Sequence, residues 1–259
     1  MPLELAVVPC LKDNYAYLIH DPVSGATGVV DAPEAGPILA ELARREWRLT
    51  DVFLTHHHDD HIAGVAALRA ASGGTLGARV WGAEADRHRL PRLDWSLWDG
   101  DQVSLGREEG VVIDVPGHTV GHIAFHFARS GLCFTGDSLM AGGCGRLFEG
   151  QPAQMWASLQ KLAALPPDTL ICSGHEYSAS NLSFAATIEP ANPRLAMRQH
   201  EVARARGEGL PSVPVALEEE LATNPFLRAG LAEVKMAVGM PDAPDAEVFA
   251  EIRARKDRF

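Results

Sequence analysis

Short apolar runs separated by turn residues dominate the first half of the chain. Leu3 to Val8, Tyr15 to His20 and Gly28 to Asp31 read as early strands, with Asp21-Pro22 and Ser24-Gly25 marking turns between them. Val52 to Thr55, Val80-Trp81, Gln102 to Leu105, Val111 to Val115, His122 to Ala128, Cys133 to Thr135 and Leu170 to Cys172 read as further strands. Apolar positions spaced by three to four predict helices over Ile38 to Arg45, Ile62 to Ala71 and Gln154 to Leu165. After Tyr177 the strand signals fade. Helices are predicted over 180–188, 193–206 and 245–256, the second opened by Asn192 as cap and Pro193 in first position. Clustered strands with intermittent helices fit two sheets packed face to face under outer helices, an α+β class. A domain boundary is expected at 175, giving a catalytic domain over 1–175 and a helical domain over 176–259. Gly207 to Pro214 is the expected linker between C-terminal helices.

Composition narrows the setting. The chain has 259 residues, 46% of them hydrophobic, enough for one large or two modest domains. Acids outnumber bases 34 to 23, for a formal charge of −11. That surface repels nucleic acid and anionic membranes, although a local basic pocket can still hold an anionic small molecule. No uncharged run approaches the ~18–20 residues of a membrane span, and the N-terminus carries Glu4 and no signal-peptide pattern. Cys10, Cys133, Cys144 and Cys172 are widely spaced with no C-x-x-C pair, which predicts buried free thiols in a reducing cytoplasm. A monomer is expected.

The densest chemistry lies at T-H-H-H-D-D-H, residues 55–61. A strand precedes it and a helix follows, so the side chains sit at a strand's C-terminal end. His56 and His58 are two apart and project to one side of extended backbone, able to grip one cation. Asp60 and His61 begin the helical segment and point elsewhere, toward a second cation. Two metals ~3.5–4 Å apart form a hydrolytic device. Three later motifs repeat the pattern of strand, glycine and metal-competent side chain: P-G-H-T-V-G-H with His118, F-T-G-D-S-L with Asp137, and S-G-H-E-Y with His175. His56, His58 and His118 make three nitrogen donors for one metal. Asp60, His61 and His175 serve the other, and Asp137 can bridge both. Imidazole and carboxylate suit zinc, with iron and manganese as alternatives.

Together these motifs resemble the metallo-β-lactamase superfamily, and more closely its glyoxalase II (hydroxyacylglutathione hydrolase) family. The narrower resemblance rests on G-G-C-G-R-L-F-E-G at 142–150, G-H-E-Y at 174–177, N-P-F-L-R at 224–228 and R-A-R-K-D-R-F at the end. It implies a four-layered αββα sandwich with a C-terminal helical domain. It also implies the ligand sets above, with Asp137 shared, and a glutathione thioester as substrate. Arg146, Tyr177, Arg253 and Lys256 fall on the family's glutathione-binding positions. A local cation cluster makes sense for an anionic thioester on an acidic protein. Phe148 stands where some members carry Tyr, so it lacks a hydroxyl to hold the peptide and is expected only to pack.

The reaction expected is hydrolysis of S-(2-hydroxyacyl)glutathione, S-lactoylglutathione giving glutathione and lactate, by a hydroxide bridging the two metals. Such chemistry belongs to methylglyoxal detoxification. Asp60 is placed to orient that hydroxide or take its proton, and the thiolate needs little protonation to leave. Two rivals are a persulfide dioxygenase with one iron, or another thioesterase of the superfamily, and a metal- or glutathione-binding protein without turnover. His57 is expected to face away, on the surface or behind the ligands. His122 is expected to support a ligand or the fold, Asp59 to be solvated, and Cys144 to pack.

Overall fold

The computed structural model describes residues 1–73 and 77–259. Its backbone gathers into two compact units. Met1–Asp114 with Val120–Gly136 form the first, and Val115–Thr119 with Asp137–Phe259 the second.

The first unit is built on a sheet of β1 (Glu4–Cys10), β2 (Asn14–His20), β3 (Thr27–Val30), β4 (Leu49–Phe53), β5 (Arg79–Ala83) and β6 (Trp95–Leu97), in that order. The first three pair antiparallel, as tight turns permit, and β3 to β6 run parallel. Parallel pairing needs crossovers. Helix α1 (Ala35–Arg45) supplies the first, and α2 (Asp59–Ile62) with α3 (Val65–Ala71) lies in the second. An antiparallel run follows, of β7 (Gln102–Leu105), β8 (Glu108–Asp114), β9 (Ile123–Phe127) and β10 (Leu132–Gly136).

Strand alternation builds two layers of core from one strand. Val52 and Leu54 face the helices, packing with Val29, Ile38, Leu42, Val65, Leu68 and Val80. Phe53, between them, points the other way and meets Phe125 and Phe127 of β9 at ring distances of 5.4 and 6.1 Å. Tyr17 of β2 meets Phe134 of β10 at 5.6 Å. These aromatic contacts hold the two sheets face to face, as the strand pattern predicts. Each fully buried large ring contributes about 1.5–3 kcal/mol of transfer free energy.

One predicted helix is corrected. The run Ile62 to Ala71 is broken, α2 ending at Ile62 and α3 starting at Val65. Gly64 N–H bonds Ala32 O at 2.8 Å instead of continuing the helical ladder. A Cβ there would lie 2.8 Å from the Glu34 carbonyl carbon and 2.9 Å from Ala32 O, so only glycine lets the helix approach the β3–α1 connection. The strand β6 escapes the sequence pattern because it has three residues and only one of them is buried.

The second unit carries β11 (Leu139–Met140), β12 (Gly143–Cys144), α4 (Pro152–Ala163), β13 (Leu170–Ser173), α5 (Ser178–Ile188), α6 (Pro193–Gly207), β14 (Val215–Ala216), α7 (Leu217–Thr223), α8 (Ala232–Ala237) and α9 (Asp245–Arg258). Asn192 caps α6 as its sequence implies, its side chain accepting from Arg194 N and Leu195 N. Phe226 joins the helices, meeting Phe184 of α5 at 6.1 Å and Phe249 of α9 at 5.6 Å. The short helices α7 and α8, absent from the sequence reading, add Leu217 and Val234 to the buried set.

A polar network pins the β11–β12 hairpin from below. Glu220 of α7 is wholly buried and accepts from Gly142 N at 2.9 Å, from Asn224 Nδ2 at 2.8 Å and from the Arg198 guanidinium. Asn224 also donates to Gly143 O at 2.9 Å, and Asn181 of α5 to Ala141 O at 3.1 Å.

Candidate metal centre

The site residues predicted from sequence fall on both units. In the first, neighbouring parallel strands deliver them. Asp31 directly follows β3, the 56–61 run follows β4, and Asp86 closes the turn after β5. Adjacent strand ends therefore gather three distant sequence segments at one edge of the sheet.

His56 Nε2 and His58 Nδ1 lie 3.1 Å apart, and the rings of His56 and His61 are 4.1 Å apart. Nitrogens so close are held together by a shared proton or a shared cation. Behind them sits Asp31, which sequence reasoning missed. Its Oδ2 accepts from His61 Nδ1 and from Thr55 Oγ1, each at 2.8 Å, and its Oδ1 from Thr55 N at 2.9 Å. A proton on Nδ1 leaves His61 Nε2 as the donor atom, the orientation a metal ligand needs. Thr55 Oγ1 in turn lies 3.0 Å from His56 Nδ1. The only sequence signal for Asp31 was an acid at the end of the predicted strand Gly28 to Asp31. Asp31, His56 and His61 form a buried donor group able to hold an ion, with Asp31 already committed to hydrogen bonds. Asp60 is part exposed, its Oδ2 4.0 Å from His61 Nε2 and 3.0 Å from Asn14 Nδ2.

Neighbours behave as the sequence implied. His57 is part-buried and bonds Asp86 at 2.8 Å. His122 stacks on His56 at 4.7 Å and 14°. Asp59 is exposed.

In the second unit, Asp137 follows β10, where Gly136 turns the backbone at φ +48°. Asp137 Oδ2 lies 3.5 Å from His118 Nε2 and 3.3 Å from His175 Nε2. One carboxylate oxygen thus faces two imidazole nitrogens. His118 is set by Arg146 O, which accepts from its Nδ1 at 2.7 Å and leaves Nε2 toward Asp137. A Cβ at Gly145 would lie 2.0 Å from Asp137 O and 2.9 Å from His118 Nδ1, so the loop passes there only as glycine. Tyr177 stacks on His175 at 4.7 Å and 7°. Phe148 is 61% exposed and meets the His118 ring edge-on.

The expected substrate cations gather around the hairpin. Arg253 is buried, donates from Nη1 to Cys144 O at 2.9 Å and lies over the Phe226 ring. Its Nη2 and Arg146 Nε share Asp257 Oδ1, at 3.0 and 3.5 Å. Lys256 Nζ approaches Ser180 O at 3.3 Å, between the rings of Phe184 and Phe259. Burial, then the charge of Arg253, pull its pKa down from 10.5 to about 8. Three cations against one carboxylate leave this patch positive on an acidic protein. Burial pushes the Cys144 thiol up to about 11, which fits packing and not nucleophilic use.

Residues 13–175 match the metallo-β-lactamase superfamily and 176–259 match the hydroxyacylglutathione hydrolase C-terminus. Hydroxyacylglutathione hydrolases of Cereibacter sphaeroides (strain ATCC 17025) and Jannaschia sp. (strain CCS1) are 68% and 57% identical. The first match covers all of both chains, the second 99% of this chain and 98% of the relative. The chain belongs to the hydroxyacylglutathione hydrolase family.

Among solved structures it is similar to BLEG-1 B3 metallo-β-lactamase, with a TM-score of 0.65, 21% identity and coverage of 86% and 99%. The di-iron-bound form of TTHA1623 gives 0.53, 27% identity and coverage of 66% and 91%. The family brings the α+β metallo-β-lactamase fold with its helical C-terminal domain, as the motifs imply. The donors fit the divalent metals of such a site: each unit presents imidazole nitrogens oriented by a hydrogen bond on the opposite ring atom. Among the described residues, no helix is long and apolar enough to cross a membrane.

Proposed function

We propose that the chain hydrolyses S-(2-hydroxyacyl)glutathione thioesters, converting S-lactoylglutathione to glutathione and lactate. The observation that carries this reading is full-length identity to hydroxyacylglutathione hydrolases, with every motif donor in place. His56, His58 and His118 with Asp137 would hold one divalent metal, and Asp60, His61 and His175 with Asp137 the other. We read the metal as zinc, which this donor set suits; iron and manganese suit it too. When bound, such a pair brings the pKa of water toward neutrality and polarises a carbonyl.

The chain's own groups do the rest. Asp31 and Arg146 O keep His61 and His118 in the tautomer that offers Nε2. Asp60, steadied by Asn14 and reached by solvent, orients the attacking water and takes its proton. Arg146, Arg253 and Lys256 bind the carboxylate of glutathione, with Tyr177 beside His175 contributing a hydroxyl. Arg253 also holds the hairpin through Cys144 O, so one residue braces the hairpin and charges its surroundings. Residues 1–175 form the catalytic domain and 176–259 the substrate-binding domain. The four cysteines are free and buried, which fits a reducing cytoplasm, and we read the enzyme as a monomer.

The deciding experiment measures S-lactoylglutathione hydrolysis and total metal on one sample. Turnover with two metals per chain is the expected result. Bound metal without turnover would make it a binding protein. One iron per chain, with oxygen uptake on glutathione persulfide, would make it a dioxygenase.

A further inference from the structure

Asp86 has no part in the reaction just described, yet it is wholly buried one strand away from the histidine run. Its two carboxylate oxygens each have a partner. Oδ2 accepts from His57 Nδ1 at 2.8 Å, and Oδ1 pairs with the Arg89 guanidinium. The His57 ring then rests edge-on against His58 at 5.0 Å and 67°. The carboxylate also lies flat against the backbone at Gly121. A Cβ there would fall 2.3 Å from Asp86 Cγ and 2.4 Å from Oδ1. Gly121 carries the next residue, His122, whose ring stacks on His56 at 4.7 Å and 14°. Two lines of contact therefore leave one buried carboxylate and end on the two histidines of the first pair.

We propose that Asp86 is a positioning residue that sets the rings of His56 and His58 for metal binding, through His57 on one side and the Gly121–His122 segment on the other. The physical need is clear. His56 and His58 are presented by an irregular stretch between β4 and α2, outside both strand and helix. An imidazole between two ligands, tied to a buried charge, fixes that stretch from its far side. Burying an anion is costly unless it is fully paired, and Arg89 with His57 supplies the pairing. Outer partners of this kind set metal affinity by about 10–100-fold.

The proposal rests on His56 and His58 being ligands, and the test separates the two ideas. Full-length protein stripped of metal is titrated with zinc against a chromophoric chelator, and the thermal midpoint of each metal-free form is recorded. His57→Leu deletes the donor, whereas His57→Asn keeps an amide N–H near the Nδ1 position. Expected is a loss of zinc affinity of about 10–100-fold for Asp86→Asn and His57→Leu. His57→Asn should stay within about threefold of the parent, and all midpoints should lie close together. Should Asp86→Asn fail to fold, the His57 pair decides alone. Parental affinity in His57→Leu, or equal losses in His57→Leu and His57→Asn, would overturn the proposal. A parent chain that binds no zinc would overturn the ligand reading instead.

Discussion

Lys256 makes the substrate-binding reading measurable through pH. Its ammonium is drawn from water by α5 and the rings of Phe184 and Phe259, and Arg253 repels it, so the proton leaves at about pH 8 instead of 10.5. The cation that should grip a carboxylate is thus roughly half present at pH 8 and roughly a tenth present at pH 9. If the anion needs that charge, kcat/KM falls about fivefold between pH 8 and pH 9, because kcat/KM reports groups of the free enzyme. The sign is set by the cation: binding is strongest below pH 8 and is lost as pH rises through it. Once substrate is bound, its carboxylate holds the proton on, so kcat should stay level to higher pH. The assay is S-lactoylglutathione hydrolysis from pH 6.5 to 10, corrected for spontaneous thioester loss. Lys256→Arg is the internal control, since guanidinium stays charged throughout. Titration of the substrate's own amine affects both proteins alike and cancels. A kcat/KM that is flat within about twofold from pH 8 to 9, or that falls equally in Lys256→Arg, would refute the argument.

Other outcomes are equally definite. Asp137→Ala should lose both metals, since one carboxylate oxygen faces both His118 and His175; two ions retained in native mass spectrometry would remove the shared ligand. Asp31→Ala frees His61 Nδ1 and Thr55 Oγ1 from their common acceptor and should weaken metal binding by about 10–100-fold in a chelator competition. Glu220→Ala strands the buried Arg198 guanidinium and releases Gly142 N, at a cost of about 3–5 kcal/mol in urea unfolding of the metal-free chain. Replacing both Arg253 and Lys256 with Ala should raise KM far more than it lowers kcat in steady-state assays, the signature of uniform binding.

Much of the molecule was legible along the chain. The apolar run Val52-Phe53-Leu54 announced a strand, and the N-P start at 192–193 announced a capped helix, because both signals are local. The candidate donors stood out for the same reason: each follows its strand, and chemistry-bearing residues at strand ends contrast with apolar neighbours. The break at Gly64 was not visible, because its cause is the backbone of Ala32 and Glu34, thirty residues away. Arg253 and Lys256 looked like ordinary exposed charges of a terminal helix, and only family resemblance singled them out. In the fold Arg253 is buried against Cys144 O, 109 residues distant, and Lys256 is tied to Ser180, 76 residues away.

By itself, then, the order of residues determined most of the elements and the family and nominated the candidate donors, since period, capping and motif spacing act over a few positions. Tertiary structure alone decided which groups stand behind those donors. Asp31 and Asp86 carry no motif; they matter because β3, β4 and β5 lie side by side and in parallel, ending at one edge. A hydrogen bond needs atoms within about 3 Å in space, and adjacency of that kind is a property of strand pairing, not of position in the chain.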